Sequence, residues 1–237
     1  MALVELSAVE KTYLQGTVEV PALRGIDLTI EAGEFTALVG PSGSGKTTLL
    51  NLIGCLDTPS SGSVRLEGKE LSKLDRNQLA DLRRDKIGFI FQSYNLIPVL
   101  TARENVEFAL NLGHRKGSRD RALAILAEVG LKGLEDRRPS ELSGGQQQRV
   151  AVARALVKEP ALVLADEPTA NLDSATGEAV LRLMQTMNER HGVTFLFSTH
   201  DPMVMAYSRR RVTLKDGVIA SDERSDRHAL PGETRLS

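Results

Sequence analysis

The stretch Gly40-Pro41-Ser42-Gly43-Ser44-Gly45-Lys46-Thr47 constrains this chain more than any other. It fits G-x-x-x-x-G-K-[ST] and stands between Phe35–Val39, a short apolar β-prone run, and Thr47–Ile53, which reads as a buried helix. Glycines let the backbone curl so that successive N–H groups point inward at phosphate oxygens. The helix that follows adds its positive N-terminal end. Lys46 can then neutralise β- and γ-phosphate charge, and the Thr47 hydroxyl can hold Mg²⁺. Gly40, Ser42, Gly43, Ser44, Gly45, Lys46, Thr47 and Thr48 are therefore the candidate phosphate-binding residues. A glycine-rich turn that fits by accident is the alternative, expected on the order of once in a hundred chains of this length. The strand before and the helix after weigh against it. What hydrolysis would drive is left open by this motif.

The rest of the chain reads as an α/β protein with two additions. Leu3–Val9 and Leu23–Ile30 alternate loosely, like strands of a small antiparallel sheet, with Tyr13 in a polar loop or turn over 11–19. Val64–Gly68 reads as a strand and turn, Asn77–Lys86 as a polar helix, and Ile87–Phe91 as a strand stopping at Gln92. From 93 to about 149 the texture is helical. Thr101 and Glu104 make a capping-box pattern, and Ala122, Ile125, Leu126 and Val129 form a stripe ending at Gly130. This is read as a helical subdomain inserted into the core. Ala161–Ala165 is apolar throughout, as strands of a parallel sheet covered on both faces are. Val180, Leu181, Leu183, Met184 and Met187 stripe a helix, Val193–Phe197 is another buried strand, and 212–220 reads as a hairpin turning on Asp216-Gly217. Beyond Ser221 the charged, unpatterned sequence predicts a disordered tail over 222–237.

Composition excludes more than it proposes. A formal charge of −1 argues against a nucleic-acid partner, and the clusters Arg83-Arg84 and Arg209-Arg210-Arg211 read as solvated faces. Cys55 is the single cysteine, read as a small buried hydrophobe inside the helix after the phosphate loop. No apolar run approaches the length of a membrane span, which places the chain in the cytosol, with any membrane role borrowed from a partner.

Two further elements carry chemistry. Asp166 and Glu167 directly follow an apolar strand, where ligands collect in open α/β sheets. Asp166 suits Mg²⁺, and Glu167 could polarise an attacking water; a helix-capping acid pair is the plainer alternative. Leu142-Ser143-Gly144-Gly145-Gln146-Gln147-Gln148-Arg149 is a second glycine-rich helix start. Ser143 and Gln146 by themselves make an S-x-x-Q capping box, yet the same geometry leaves N–H groups facing outward as an anion site. Two phosphate-binding elements far apart in sequence point to a dimer in which each subunit completes the other's site.

Taken together, residues 4–220 resemble the nucleotide-binding domain of an ABC transporter. Gly40–Thr47 resembles the Walker A loop, Leu164-Ala165-Asp166-Glu167 the end of Walker B, and Ser143-Gly144-Gly145-Gln146 the signature motif, the most specific of these elements. The resemblance implies that Gln92 senses metal and water, that His200 in Ser198-Thr199-His200-Asp201 touches the γ-phosphate, that Asn171-Leu172-Asp173 is the D-loop, and that Tyr13 stacks on adenine. Taken singly, Gln92 could merely end a strand, Tyr13 could be a surface aromatic and His200 a loop histidine. His114, His191 and His228 are left as ordinary loop histidines.

Asn51–Asp57, Phe89–Gln92 and Leu142–Arg149 are similar to the macrolide-export and lipoprotein-release ATPases, with Ala170 standing where that group more often has Gly. The resemblance implies a P-loop NTPase core over 1–221, ATP and Mg²⁺ as cofactors and a homodimer on ATP binding. It further implies a separate permease docking near Tyr94–Leu100, and a peripheral position on the cytoplasmic face of the membrane. A regulatory ATPase gating a cell-division complex is the alternative. A soluble ATPase of DNA repair or translation is a further one, opposed by the lack of heptads, zinc-type cysteines or a second phosphate loop.

Overall fold

The computed structural model describes residues 1–112 and 118–225. Ten strands and seven helices are described: β1 (Ala2–Gln15), β2 (Val18–Glu31), β3 (Phe35–Val39), α1 (Lys46–Ile53), β4 (Ser61–Leu66), β5 (Lys69–Glu70), α2 (Arg76–Lys86), β6 (Ile87–Ile90), α3 (Ala102–Asn111), α4 (Ser118–Glu128), α5 (Gly144–Leu156), β7 (Leu162–Asp166), α6 (Ser174–His191), β8 (Thr194–Thr199), α7 (Pro202–Tyr207), β9 (Arg210–Lys215) and β10 (Val218–Arg224).

The central sheet runs β10-β9-β3-β8-β7-β6, and β3, β6, β7, β8 and β9 are mutually parallel. β3, β6, β7 and β8 are apolar on both faces because both are covered, whereas β9 alternates, with Arg211 and Lys215 exposed. Alternate side chains enter different cores. Leu162 and Leu164 of β7 and Leu196 of β8 pack toward α1 and the small sheet; Val163, Ala165, Phe195 and Phe197 pack toward α3–α7. Phe35, Phe195 and Phe197 cluster at the second core, with ring centroids 4.6 to 5.8 Å apart. The small sheet, order β2-β1-β4-β5, is antiparallel throughout. Helices α3, α4 and the start of α5 form the helical insertion. Its first helix opens on a capping box in which Thr101 Oγ1 accepts from Glu104 N (3.2 Å) and Thr101 N donates to Glu104 Oε2 (2.8 Å).

Several expectations shift. Residues 11–15 are not loop but the end of β1, with Tyr13 opposite Val20, and only Gly16-Thr17 turns. Outward-facing polar residues on a two-stranded projection hide the strand period there. Cys55 is buried but lies past the end of α1, at φ 57°. Burial pushes its thiol up to about 11. His191 ends α6 rather than sitting in a loop, and pairs with Glu128 of α4 at 2.8 Å. Arg210 is no solvated charge. Its side chain is 7% exposed and donates to Asp222 (2.8 and 2.6 Å), Glu34 (2.9 Å) and the Thr29 carbonyl (2.7 Å). That network carries β10 three residues past the boundary expected at 221. Residues 226–237, and His114 and His228, lie outside the described residues.

Candidate nucleotide site

Parallel strands end on one edge of a sheet, so whatever follows β3, β6, β7 and β8 meets there. After β3 comes the loop 40–45 and α1, after β6 Gln92, after β7 Glu167, and after β8 His200. Lys46, Thr47, Thr48, Gln92, Asp166, Glu167 and His200, with Ser42, Gly43 and Gly45, line a single cavity of about 590 Å³. That size is in the range of small-molecule and cofactor sites.

The loop is shaped to leave donors free. Gly45 caps α1 in a left-handed conformation (φ 104°), with no side chain accepting from the first turn's N–H groups. Only glycine fits here: a Cβ would stand 2.7 Å from the Ala22 carbonyl and 2.8 Å from Leu23. The Lys46 ammonium lies on the carbonyls of Gly40 (2.7 Å) and Pro41 (3.0 Å), a short swing from the cavity it lines. Ser44 Oγ is buried with no partner, and neither Gly40 nor Ser44 lines the cavity.

The acidic turn is held more tightly than an ordinary helix cap. Glu167 has φ 46°, an uncommon conformation for a side-chain-bearing residue and of the kind that gathers at functional sites. Its N–H donates to the Ser198 carbonyl (2.9 Å), tying the turn to β8. Thr199 Oγ1 donates to its Oε2 (3.1 Å), and His200 Nδ1 lies 2.6 Å from Oε1. The Glu167 side chain is 17% exposed and that of His200 75% exposed. Glu167 and His200, two of the candidate residues, are therefore hydrogen-bonded partners, a juxtaposition the sequence could not place.

The signature stretch lies elsewhere: Ser143, Gly144, Gly145 and Gln146 do not line this cavity. Ser143 N donates to Gln146 Oε1 (2.8 Å) and Gln146 N to Ser143 Oγ (3.3 Å), so the capping box is real. It leaves the N–H groups of Gly144 and Gly145 outside it. Gly145 has a packing reason too, because a Cβ there would run into the Thr176 methyl of α6.

Tyr13 does not line the cavity but borders it. Its hydroxyl donates to Asp57 Oδ2 (2.9 Å) and has as another neighbour the hydroxyl of Thr48, which does line it. Burial, then the Asp57 bond, raises the phenol above its usual value.

Three residues to which the sequence assigns no role of their own hold this edge together, each through a backbone carbonyl that no pattern announces. Gln148, fully buried on α5, donates to the Pro168 carbonyl (2.6 Å) beside Glu167. Arg154 donates to the carbonyls of Tyr94 (2.7 Å) and Asn95, both left-handed residues. Asn105, fully buried, binds Ile97 through N–H (2.8 Å) and carbonyl (3.2 Å), and also reaches the carbonyls of Leu100 and Thr101. The run 94–100 is thereby fixed, with Leu96 packed inward and Val99 73% exposed. Beside it, Phe89, Phe91, Ile97, Phe108 and Leu112 line a groove of about 330 Å³. A cavity of about 460 Å³ between α4 and the end of α6 has its charges paired, Arg121 with Glu159 and His191 with Glu128, and holds no candidate residue.

Residues 23–170 match the family described as ABC transporter. The chain is 52% identical over 223 residues to the macrolide export ATP-binding/permease protein MacB of Syntrophobacter fumaroxidans, covering 92% of this chain and 31% of that one. It is 50% identical over 222 residues to the lipoprotein-releasing system ATP-binding protein LolD of Anaeromyxobacter dehalogenans, covering 92% and 93%. The chain thus spans about a third of the macrolide-export relatives. Among solved structures, the dimeric ATP-binding cassette MJ0796 of Methanocaldococcus jannaschii, in a post-hydrolysis state bound to ADP and Pi, superposes with a TM-score of 0.86 at 46% identity, covering 93% of this chain and 98% of that one.

Proposed function

On the premise that this chain belongs to the ABC transporter family, we propose that it is the ATP-binding and ATP-hydrolysing component of an ABC transporter, closing as a dimer on ATP to drive a membrane permease. One observation carries the reading: four strand ends deliver Lys46, Thr47, Gln92, Asp166, Glu167 and His200 to one cavity.

In this reading the free N–H groups at the start of α1 and the Lys46 ammonium bind the phosphate chain. The Thr47 hydroxyl, the Asp166 carboxylate and the Gln92 amide present oxygen donors to one space, a set that fits Mg²⁺, which when bound would neutralise phosphate charge. Glu167 takes the proton of the attacking water, held in place by Thr199 and His200. With Nδ1 engaged by Glu167, His200 keeps Nε2 for a phosphate oxygen. Tyr13 stacks on the base. Ser143 and the α5 N-terminus, outside their own chain's cavity, close over the nucleotide of the second copy, as two facing subunits allow.

Among the described residues no helix is long and apolar enough to cross a membrane. The permease is proposed as a separate chain, docking at the Val99 bend and the Phe89–Phe108 groove, with the ATPase on the cytoplasmic face. Leu96 is turned inward, so Val99 and Phe108 (45% exposed) are the residues to test. In co-expression with the permease of a neighbouring reading frame, Val99→Glu and Phe108→Glu should reduce co-purification while ATPase activity of the isolated chain persists. Undiminished co-purification of both would move the docking surface.

A further inference from the structure

Tyr13 is held by more than its strand. Lys11, two residues earlier on β1 and so on the same face, places its ammonium 4.9 Å from the Tyr13 ring centroid. That ammonium is itself fixed, donating to Asp57 Oδ1 (2.7 Å) and to the Thr58 carbonyl (2.8 Å). Asp57 meanwhile accepts from the Tyr13 hydroxyl (2.9 Å) through its other oxygen. Burial alone would raise the Asp57 carboxyl, but the Lys11 ammonium, the Thr58 N–H and the Tyr13 hydroxyl outweigh it and hold the group ionised, below its usual range.

Two consequences follow from this arrangement. The ring has one face taken by a cation, while Tyr13 as a whole remains 38% exposed. A cation on one face draws π density toward itself, which suits the opposite face to an electron-rich ring. Asp57 and Thr58 also belong to the loop that leaves α1, the helix whose start is the phosphate loop. The ring is therefore tied to the loop that leaves the phosphate-binding helix and neighbours Thr48 in that helix's first turn, so that its distance from the triphosphate site is set by a rigid element.

We propose that Lys11 and Asp57 are positioning residues for the nucleotide base, clamping Tyr13 with one ring face closed by the ammonium and the other presented to a purine. The proposal rests on the reading above that Tyr13 stacks on the base. Its energy belongs to the base alone, so binding of ATP and of inorganic tripolyphosphate separates it from general damage.

The experiment is equilibrium binding of both probes to the purified chain and to Lys11→Met, Lys11→Arg and Tyr13→Ala. Lys11→Met keeps the stem and removes the charge. It should weaken ATP about three- to tenfold, as a lost cation–π contact would, and leave tripolyphosphate unchanged. Lys11→Arg keeps the cation and should recover most of the ATP affinity. If Tyr13→Ala weakens ATP while Lys11→Met does not, the clamp is refuted and the stacking role of Tyr13 stands. If Tyr13→Ala also leaves ATP affinity intact, the stacking reading falls and the clamp with it. Equal losses for ATP and tripolyphosphate in Lys11→Met would make Lys11 merely structural and overturn the proposal.

Discussion

Replacing Glu167 by Gln separates the chemistry of the site from its construction. The carboxylate accepts from Thr199 Oγ1 at 3.1 Å and faces His200 Nδ1 at 2.6 Å. A glutamine of the same length keeps both contacts: its carbonyl accepts from one partner, and its NH₂ donates to the other. His200 can supply an acceptor by changing tautomer, and Thr199 Oγ1 retains a lone pair even while accepting from Asp201 N (3.0 Å). The left-handed backbone at 167 is as strained for Gln as for Glu. Exchanging one charge-assisted bond for a neutral one should cost about 1 kcal/mol of stability, a shift of about 2–4 °C in Tm for a chain of this size. Loss of a general base costs about 10²- to 10⁴-fold in rate, or about 2.7–5.4 kcal/mol at 1.36 kcal/mol per decade. The rate effect should therefore far exceed the stability effect. Phosphate release measured beside scanning calorimetry and ATP affinity decides it: slow turnover, near-native Tm and retained ATP binding are expected. Turnover within a few-fold of wild type would remove Glu167 as the base, and a Tm fall beyond 10 °C would show that it builds the turn instead.

Lys46→Ala removes the ammonium that lies on Gly40 and Pro41 and should abolish hydrolysis with the circular dichroism of the folded chain intact; undiminished turnover in a folded variant would take Lys46 out of the site. Gly45→Ala forces a Cβ against the Ala22 carbonyl at φ 104° and should cut ATP affinity at least tenfold by shifting the loop, read by isothermal calorimetry. For Asp222, the Arg210 bond, opposed by burial, depresses the folded-state carboxyl. The stabilisation is therefore present above the unfolded value of about 3.9 and lost as pH falls through the lower folded one. Asp222→Asn should flatten the acid limb of a stability–pH curve measured in urea, and an unchanged limb would refute the assignment.

What could be read from the chain was whatever is written locally. Apolar runs located β3, β7 and β8 because both faces of a central strand are buried, and the capping boxes at Thr101 and Ser143 formed as spelled. The phosphate loop and the acidic turn are contiguous motifs, so their residues could be named from the sequence, and most of them line one cavity. What needed the fold was long-range pairing. The tip of β1 was mistaken for loop because what its inner face covers is polar, Lys11 and Tyr13 on Asp57, so no apolar alternation marks the strand. Residues 222–224 looked disordered because their charges find Arg210, Arg211 and Glu34 only once β9 and β10 pair. Gln148, Arg154 and Asn105 escaped because each acts on a main-chain carbonyl, which every residue has. Within the docking run expected at Tyr94–Leu100, Leu96 packs inward while Pro98 and Val99 are exposed, an orientation set by hydrogen bonds with Asn105 of α3.

The central claim is that one nucleotide is completed by two chains, because Ser143 and the start of α5 lie outside the cavity that holds Lys46 and Glu167. Sedimentation velocity of the Glu167→Gln chain with and without Mg-ATP tests it, with Ser143→Arg added as the obstacle. If ATP is shared across the interface, association and binding are thermodynamically linked. Glu167→Gln should then sediment as a dimer with Mg-ATP and as a monomer once nucleotide is removed, and Glu167→Gln/Ser143→Arg should remain monomeric at the same ATP occupancy. A double variant that still dimerises specifically on ATP would contradict the shared site.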